Sequence, residues 1–172
     1  MNIKSFIQNV PNFPKPGIMF RDISPLLANA DAFGKVVGQI ADEWKGSVDM
    51  IIALDARGFV FGAPVALALG VPFVMIRKKG KLPGEVVSYS YDLEYGSDTV
   101  EMKHDALKAG DRVLVVDDLL ATGGTAAAAC ALVESVGATV AGCVFVIELV
   151  GLGGREKLGD HAVQALVSYE EN

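Results

Sequence analysis

Two neighbouring carboxylates, Asp117 and Asp118, close an apolar run in the segment VLVVDDLLATGGT (113–125). Ionised carboxylates only accept hydrogen bonds, so the pair suits the vicinal hydroxyls of a sugar, alone or with a divalent cation. The residues that follow have different chemistry. Gly123 and Gly124 let backbone N–H groups approach a ligand, and Thr122 and Thr125 add hydroxyls. A helix starting there turns its positive end to the same spot, which makes an anion site fit for a phosphate. Hydroxyl acceptors beside a phosphate cradle match a ribose 5-phosphate. No Gly-Lys-Ser/Thr follows, so the loop is not of the kind that hydrolyses nucleoside triphosphates.

Two further segments carry charge at the ends of apolar runs. LDARG (54–58) offers Asp55 and Arg57, and RKKGK (77–81) places Arg77, Lys78, Lys79 and Lys81 within five residues. Taken alone, Arg57 reads equally as a surface charge at a helix start, and a lysine cluster as a solvated face. The chain as a whole is acidic, with a net charge of −6. General binding to nucleic acid or to an anionic membrane is excluded on that balance, and any anionic ligand must be held locally.

The elements that position these groups follow from periodicity. A chain of 172 residues suits one domain. Helices are expected over 31–44, capped by Asp31, over 58–69 and over 122–136; strands over 48–54, 71–76, 112–116, 139–149 and 162–167. Unbroken apolar strands alternating with helices imply a parallel sheet covered on both faces, with its ligand crevice at the carboxyl ends of the strands. The three charged segments would open onto that one crevice. Residues 86–94 alternate apolar and polar, then turn through Tyr95-Gly96-Ser97 into a strand over 98–102, so a hairpin is expected to project as a lid. Pro11, Pro14 and Pro16 keep the N-terminal segment extended, with turns.

Other features carry less. The uncharged stretch 58–76 has the length of a membrane span, but Gly62, Pro64, Gly70 and Pro72 divide it into helix, cap and strand. Cys130 and Cys143 are expected as buried thiols of a reducing compartment, and MNIKSFIQNV lacks the pattern of a secretion signal, which together point to the cytoplasm. His104 and His161 are expected at the surface, and GLGG (151–154) as a turn.

VLVVDDLLATGGT resembles the phosphoribosyl pyrophosphate (PRPP) signature of type I phosphoribosyltransferases. FPKPGIMFRDISPLL (13–27), LDARGFVFG (54–62), IRKKGKLPG (76–84), YDLEYG (91–96) and GREKL (154–158) are similar to the blocks of the adenine phosphoribosyltransferase family, in its order and over essentially the whole chain. The resemblance implies an α/β type I phosphoribosyltransferase fold: a single domain over 1–172, with a central, mostly parallel sheet flanked by helices. A base-binding hood over 1–30 and a flexible hairpin lid over 77–102 complete it. The implied reaction converts adenine and PRPP to AMP and pyrophosphate in purine salvage, with Mg²⁺ held mainly by the substrate and no direct protein ligand. A homodimer is implied, without nucleic-acid or membrane partners.

Residue by residue, the resemblance gives Asp117 and Asp118 the ribose hydroxyls, and Ala121, Thr122, Gly123, Gly124 and Thr125 the 5-phosphate. It gives the pyrophosphate to Asp55, Ala56, Arg57 and Gly58, with a cis peptide at Asp55–Ala56, and to Arg77, Lys78 and Lys81. The base falls to backbone groups around Met19 and Arg21, with Phe20 and Leu119 on its faces. Catalysis falls to Glu94 and Arg57, and Tyr95 supports the closed lid. On residue type alone, Phe20 is an ordinary core aromatic and Glu94 an exposed hairpin residue. A transferase for 6-oxopurines would share this fold. A PRPP-sensing regulator would need a basic face or a DNA-binding domain, and the acidic chain offers neither.

Overall fold

The apolar runs form a seven-stranded sheet in the order β5-β6-β4-β3-β7-β8-β9, as described by a computed structural model of residues 1–170. Its parallel centre comprises β3 (Met50–Leu54), β4 (Phe73–Lys78), β7 (Arg112–Leu120), β8 (Thr139–Leu149) and β9 (Val163–Tyr169). The antiparallel edge comprises β5 (Val86–Asp92) and β6 (Ser97–Lys103). β1 (Gln8–Pro11) and β2 (Met19–Asp22) form a separate two-stranded sheet, joined to the body by the single turn α1 (Ser24–Leu27). The mostly parallel, helix-flanked α/β architecture is the one expected.

Two cores lie on opposite faces of the sheet. Helices α2 (Ala30–Trp44) and α3 (Gly58–Leu69) bury Val36, Ile40, Phe61 and Val65 against one face, together with Ile51, Leu114 and Val146 of the strands. Helix α4 (Gly124–Ser135) buries Ala129, Leu132 and Val133 against the other, with Ile52, Val115 and Phe145. β4 lies on one side of β3 and β7 on the other, so the strand order switches direction between β3 and β7. A crevice opens at that point in sheets of this kind.

Several boundaries differ from expectation. Helix α2 is capped by Asn29, whose side chain accepts from Ala32 N–H at 2.9 Å. Asp31 is already in its first turn, where a carboxylate favours the positive helix end. β7 runs to Leu120 instead of residue 116, because β8 continues to pair with it through Asp117↔Phe145 and Leu119↔Ile147. The two acids therefore stand within a strand. Helix α4 starts at Gly124, since Gly123 holds a left-handed φ of 80°. The hairpin does not project as a whole: β6 pairs with β4 through Arg77↔Glu101 and Lys78↔Val100, and only the turn between β5 and β6 lies beyond the ladder.

Residues 151–154 form more than a turn. A 3-10 turn over Val150–Leu152 leads into the short helix α5 (Gly154–Leu158). His161 is only partly exposed, because it packs between α4 and α5: Nδ1 donates to the Leu158 carbonyl at 2.7 Å, and Nε2 meets the Glu134 carboxylate at 2.8 Å. His104 is exposed, and Cys130 and Cys143 are buried free thiols with sulfurs 3.5 Å apart. The 58–76 stretch is divided between α3 and β4. Among the described residues, no helix is long and apolar enough to cross a membrane.

Candidate active site

The carboxyl ends of β3, β4 and β7 meet around a cleft of about 360 Å³ lined by Asp55, Ala56, Arg57, Lys78, Asp117 and Asp118, with Leu119 and Thr125 at its edge. All three charged segments thus converge, as the parallel-sheet reading requires. The Asp55–Ala56 peptide is cis. Each cation in the cleft rests on a carboxylate. Arg57 Nε lies 2.9 Å from buried Asp118, and Arg77 Nε lies 2.9 Å from Asp55, which Lys81 also approaches at 3.5 Å. Lys78 is bound to Asp98 on β6. Burial works to raise the Asp55 carboxyl, but Arg77 and Lys81 outweigh it and hold it below the ordinary value. At Asp117, burial, and then the Asp118 charge beside it, outweigh the Asp118 backbone N–H it accepts at 2.8 Å and the nearby Arg57 charge, and push its carboxyl well above the ordinary range.

A smaller pocket of about 100 Å³ adjoins this cleft, formed by Asp117 and the loop from Leu119 through Ala126. It faces the start of α4, where the first backbone N–H groups have no partner within the helix. The loop is held from behind by α5. A Cβ on Gly154 would lie 2.5 Å from the Ala121 carbonyl oxygen, and one on Gly123 would lie 2.6 Å from the Gly154 carbonyl oxygen. Backbone therefore packs on backbone there, which only glycine allows. Arg155, next in the chain, clasps buried Glu148 of β8 through two hydrogen bonds of 2.7 and 2.8 Å. The sequence reading of GLGG as a bare turn missed this support.

A third cavity, of about 470 Å³, lies beneath the two-stranded sheet. Val10, Phe13, Phe20, Ile23 and Leu27 make it apolar; Asp22 and Arg57 are its charged residues. Strand alternation turns Phe20 and Asp22 inward and leaves Met19 and Arg21 on the other side. There the Arg21 guanidinium stacks over the Tyr169 ring at 3.9 Å and donates to Asn9 Oδ1 at 2.6 Å. Phe13 meets Phe20 edge-on at 5.1 Å, and Arg57 lies 5.4 Å from the Phe20 ring centre. Arg57 thus belongs to this cavity and to the central cleft at once. Leu119 lines the central cleft and the loop pocket, not the cavity with Phe20.

Glu94 and Tyr95 sit at the tip of the β5–β6 hairpin, where Tyr95 is 87% exposed. The base of that hairpin is tied to the cleft. Tyr91 Oη lies 3.1 Å from Thr125 Oγ1 and accepts from Lys78 Nζ at 3.1 Å. Sequence reading passed over Tyr91 and Asp98. The hairpin register pairs them directly, because the turn spans residues 93–96; the turn expected at 95–97 would have set Tyr91 opposite Glu101.

Comparison with known proteins agrees with this geometry. Residues 22–164 match the phosphoribosyl transferase domain family. The chain is 51% identical to the adenine phosphoribosyltransferase of Acaryochloris marina over 98% of its length and 100% of the relative's, and 53% identical to that of Rhodospirillum centenum over 99% of both. Among solved structures, the adenine phosphoribosyltransferase of Thermoanaerobacter pseudethanolicus superposes with a TM-score of 0.93 at 49% identity, covering 97% of this chain and 98% of that one. The Saccharomyces cerevisiae enzyme, complexed with adenine and an imino-altritol bisphosphate, gives 0.91 at 44% identity, covering 95% and 96%. With a family domain over most of its length and half its residues shared with these relatives, the chain belongs to the phosphoribosyltransferase family, among the adenine phosphoribosyltransferases.

Proposed function

We infer that the chain transfers the 5-phosphoribosyl group of PRPP to N9 of adenine, releasing pyrophosphate and forming AMP. The observation that carries this reading is the contiguity of three compartments with different chemistry: an anion loop, a cation-rich cleft with paired acids, and an apolar cavity beneath Phe20. They match phosphate, ribose with its leaving group, and a flat base, in the order in which the product carries them.

In the transfer, the bond from C1 of the ribose to the pyrophosphate oxygen breaks, the bond to N9 forms, and N9 loses its proton. Asp117 and Asp118 accept from the ribose hydroxyls, and Ala121 through Thr125 bind the 5-phosphate through loop N–H groups and hydroxyls. Pyrophosphate draws Arg57 from Asp118, and Arg77 and Lys81 from Asp55; with Lys78 and the backbone of residues 55–58 they neutralise the leaving group. Phe20 stacks on adenine. Backbone groups at Met19 and Arg21 take its donor–acceptor edge, a pattern that a 6-oxopurine reverses at the cost of unpaired buried groups. Glu94, brought over the cleft by the hairpin, takes or orients the N9 proton while Tyr95 helps exclude water. Mg²⁺, held mainly by the substrate's phosphate oxygens, would lower the charge of the leaving group when bound; of the cleft carboxylates, Asp118 is paired with Arg57 and Asp55 with Arg77 and Lys81.

The same reading makes the protein a cytoplasmic homodimer. Helix α3 is apolar on its outer side as well as its inner one: Leu67 is 83% exposed, and Val60, Ala63 and Pro64, at helical spacing before it, are half-buried; Met75 of β4 is 42% exposed. A helix apolar all round belongs in an interior, and this one begins at the pyrophosphate-binding loop, so a second copy covers that face. Light scattering should show a dimer that Leu67→Glu converts to monomer. The function itself is tested by incubating the protein with PRPP, Mg²⁺ and each purine. AMP should form from adenine and only with Mg²⁺; turnover of hypoxanthine, guanine or xanthine in preference to adenine would overturn the assignment.

A further inference from the structure

Tyr91 bridges two parts of the cleft that the transfer reading keeps separate. Its ring packs over the start of α4, with Cε2 3.9 Å from where a Cβ on Gly124 would lie. Its oxygen is in contact with Lys78 of the pyrophosphate side and Thr125 of the 5-phosphate loop, each at 3.1 Å. Tyr91 Oη also donates to Asp98 Oδ2 at 3.4 Å, the carboxylate oxygen that holds the Lys78 ammonium.

Proton counting then fixes what the bridge does when a phosphate is present. Tyrosine and threonine hydroxyls each carry one proton. An ammonium only donates, so Lys78 fills one acceptor site on the Tyr91 oxygen. A phosphate oxygen beside Thr125 demands the Thr125 proton, because the dianion only accepts. The Tyr91–Thr125 contact can then persist only if Tyr91 turns its proton from Asp98, the longer bond at 3.4 Å, to Thr125 at 3.1 Å. The result is a one-way chain of donors, Lys78 to Tyr91 to Thr125 to phosphate, starting at a fixed positive charge and ending on the anion. Each bond in such a chain polarises the next.

Resting on the assignment of residues 121–125 to the 5-phosphate, we propose that Tyr91 is a positioning residue that fixes Thr125 as a donor to that phosphate and links phosphate occupancy to the β5–β6 hairpin. Tyr91 lies on β5, three residues before Glu94. Tightening of the Thr125–Tyr91 bond by phosphate therefore anchors the base of the hairpin whose tip carries the catalytic carboxylate.

The test is Tyr91→Phe, which keeps the ring on α4 and removes one oxygen. The KM for PRPP should rise roughly five- to tenfold, the worth of one hydrogen bond, while the KM for adenine stays within about twofold. Thr125→Val should show a similar rise and Thr125→Ser should not; in Thr125→Val, adding Tyr91→Phe should cost nothing more, because the chain is already broken. Fully additive effects, equal changes in both KM values, or an unchanged KM for PRPP would overturn the proposal. Calorimetric titration with ribose 5-phosphate separates it from the transfer reading. Wild-type protein that binds ribose 5-phosphate more tightly than Tyr91→Phe but forms no AMP sinks the transfer reading alone. AMP formation with equal ribose 5-phosphate affinity in both proteins sinks the relay alone.

Discussion

The loop proposed to hold the 5-phosphate and the hairpin tip stand at opposite extremes of constraint. The loop is pressed between the β7–β8 ladder and α5, with glycine backbones in contact at positions 123 and 154 and the Arg155–Glu148 clasp behind them. At the tip, Leu93 is 48% exposed and Tyr95 87% exposed, and a single backbone bond, Leu93 N–H to Gly96 carbonyl, closes the turn at 2.9 Å. The loop to which phosphate binding is proposed is thus prebuilt in the sheet, while Glu94, the proposed acid–base group, is stationed on a segment that few contacts hold. The difference fits a transfer in which water must be excluded only after the substrates are seated.

The largest break in that contrast is Glu94→Ala. The tip packs against nothing that this change disturbs, so stability should stay within about 0.5 kcal/mol of wild type. kcat should fall on the order of 10²- to 10⁴-fold, the range for loss of a general acid–base group, with the KM for PRPP nearly unchanged. Thermal melts and steady-state kinetics read both quantities, and wild-type kcat would take the chemistry away from Glu94.

The loop should show the opposite signature. Gly154→Val places a branched side chain against the Ala121 carbonyl and the Leu120 side chain, both within 2.7 Å of the new Cβ. Overpacking of this kind costs about 1–3 kcal/mol, and displacement of the phosphate cradle by an ångström lowers kcat/KM for PRPP on the order of 10²-fold. Both Tm and PRPP affinity should fall together, although the residue touches no substrate. A variant with a lowered Tm and an unchanged KM for PRPP would show that α5 supports the fold and not the loop.

The same contrast explains what the sequence made legible. The parallel core was readable because every strand there is buried on both faces and so is apolar without interruption; α3 and β8 appear with the bounds expected. Convergence of Asp55, Arg57, Lys78, Asp117 and Asp118 followed from their position towards the carboxyl ends of apolar strands, although β7 continues past the two acids to Leu120. Contacts made by long-range backbone packing were not readable. Nothing local to Gly154 says that it abuts Ala121, 33 residues away by the numbering. The continuation of β7 through Asp117 and Asp118 depends on β8 pairing, which overrides the poor strand preference of aspartate. Likewise, alternation over 86–94 puts Val87, Tyr89, Tyr91 and Leu93 on one face, but α4 covers only part of it, so Tyr89 is 40% and Leu93 48% exposed while Tyr91 is partly buried.

A prebuilt site should also carry a stability penalty that a lightly held tip does not, and Asp117 is where it falls. An aspartate in an unfolded chain ionises near pH 3.9. Burial and the adjacent Asp118 charge raise that value in the folded protein, so folding favours the protonated form. The contribution is favourable below about pH 4 and is lost as pH rises through the raised value, where a charge must be kept beside another charge. Asp117→Asn keeps the shape without the charge. It should raise Tm by about 2–4 °C at pH 8, the shift that 1 kcal/mol gives in a chain of this size, and the gain should shrink steadily towards pH 4. PRPP binding should weaken over the same pH range in which stability improves, because the amide presents one fewer acceptor to the ribose. A Tm gain independent of pH would assign the effect to packing; a loss of Tm at pH 8 would mean that the Asp117 charge is compensated and that this end of the strand is as free of strain as the hairpin tip.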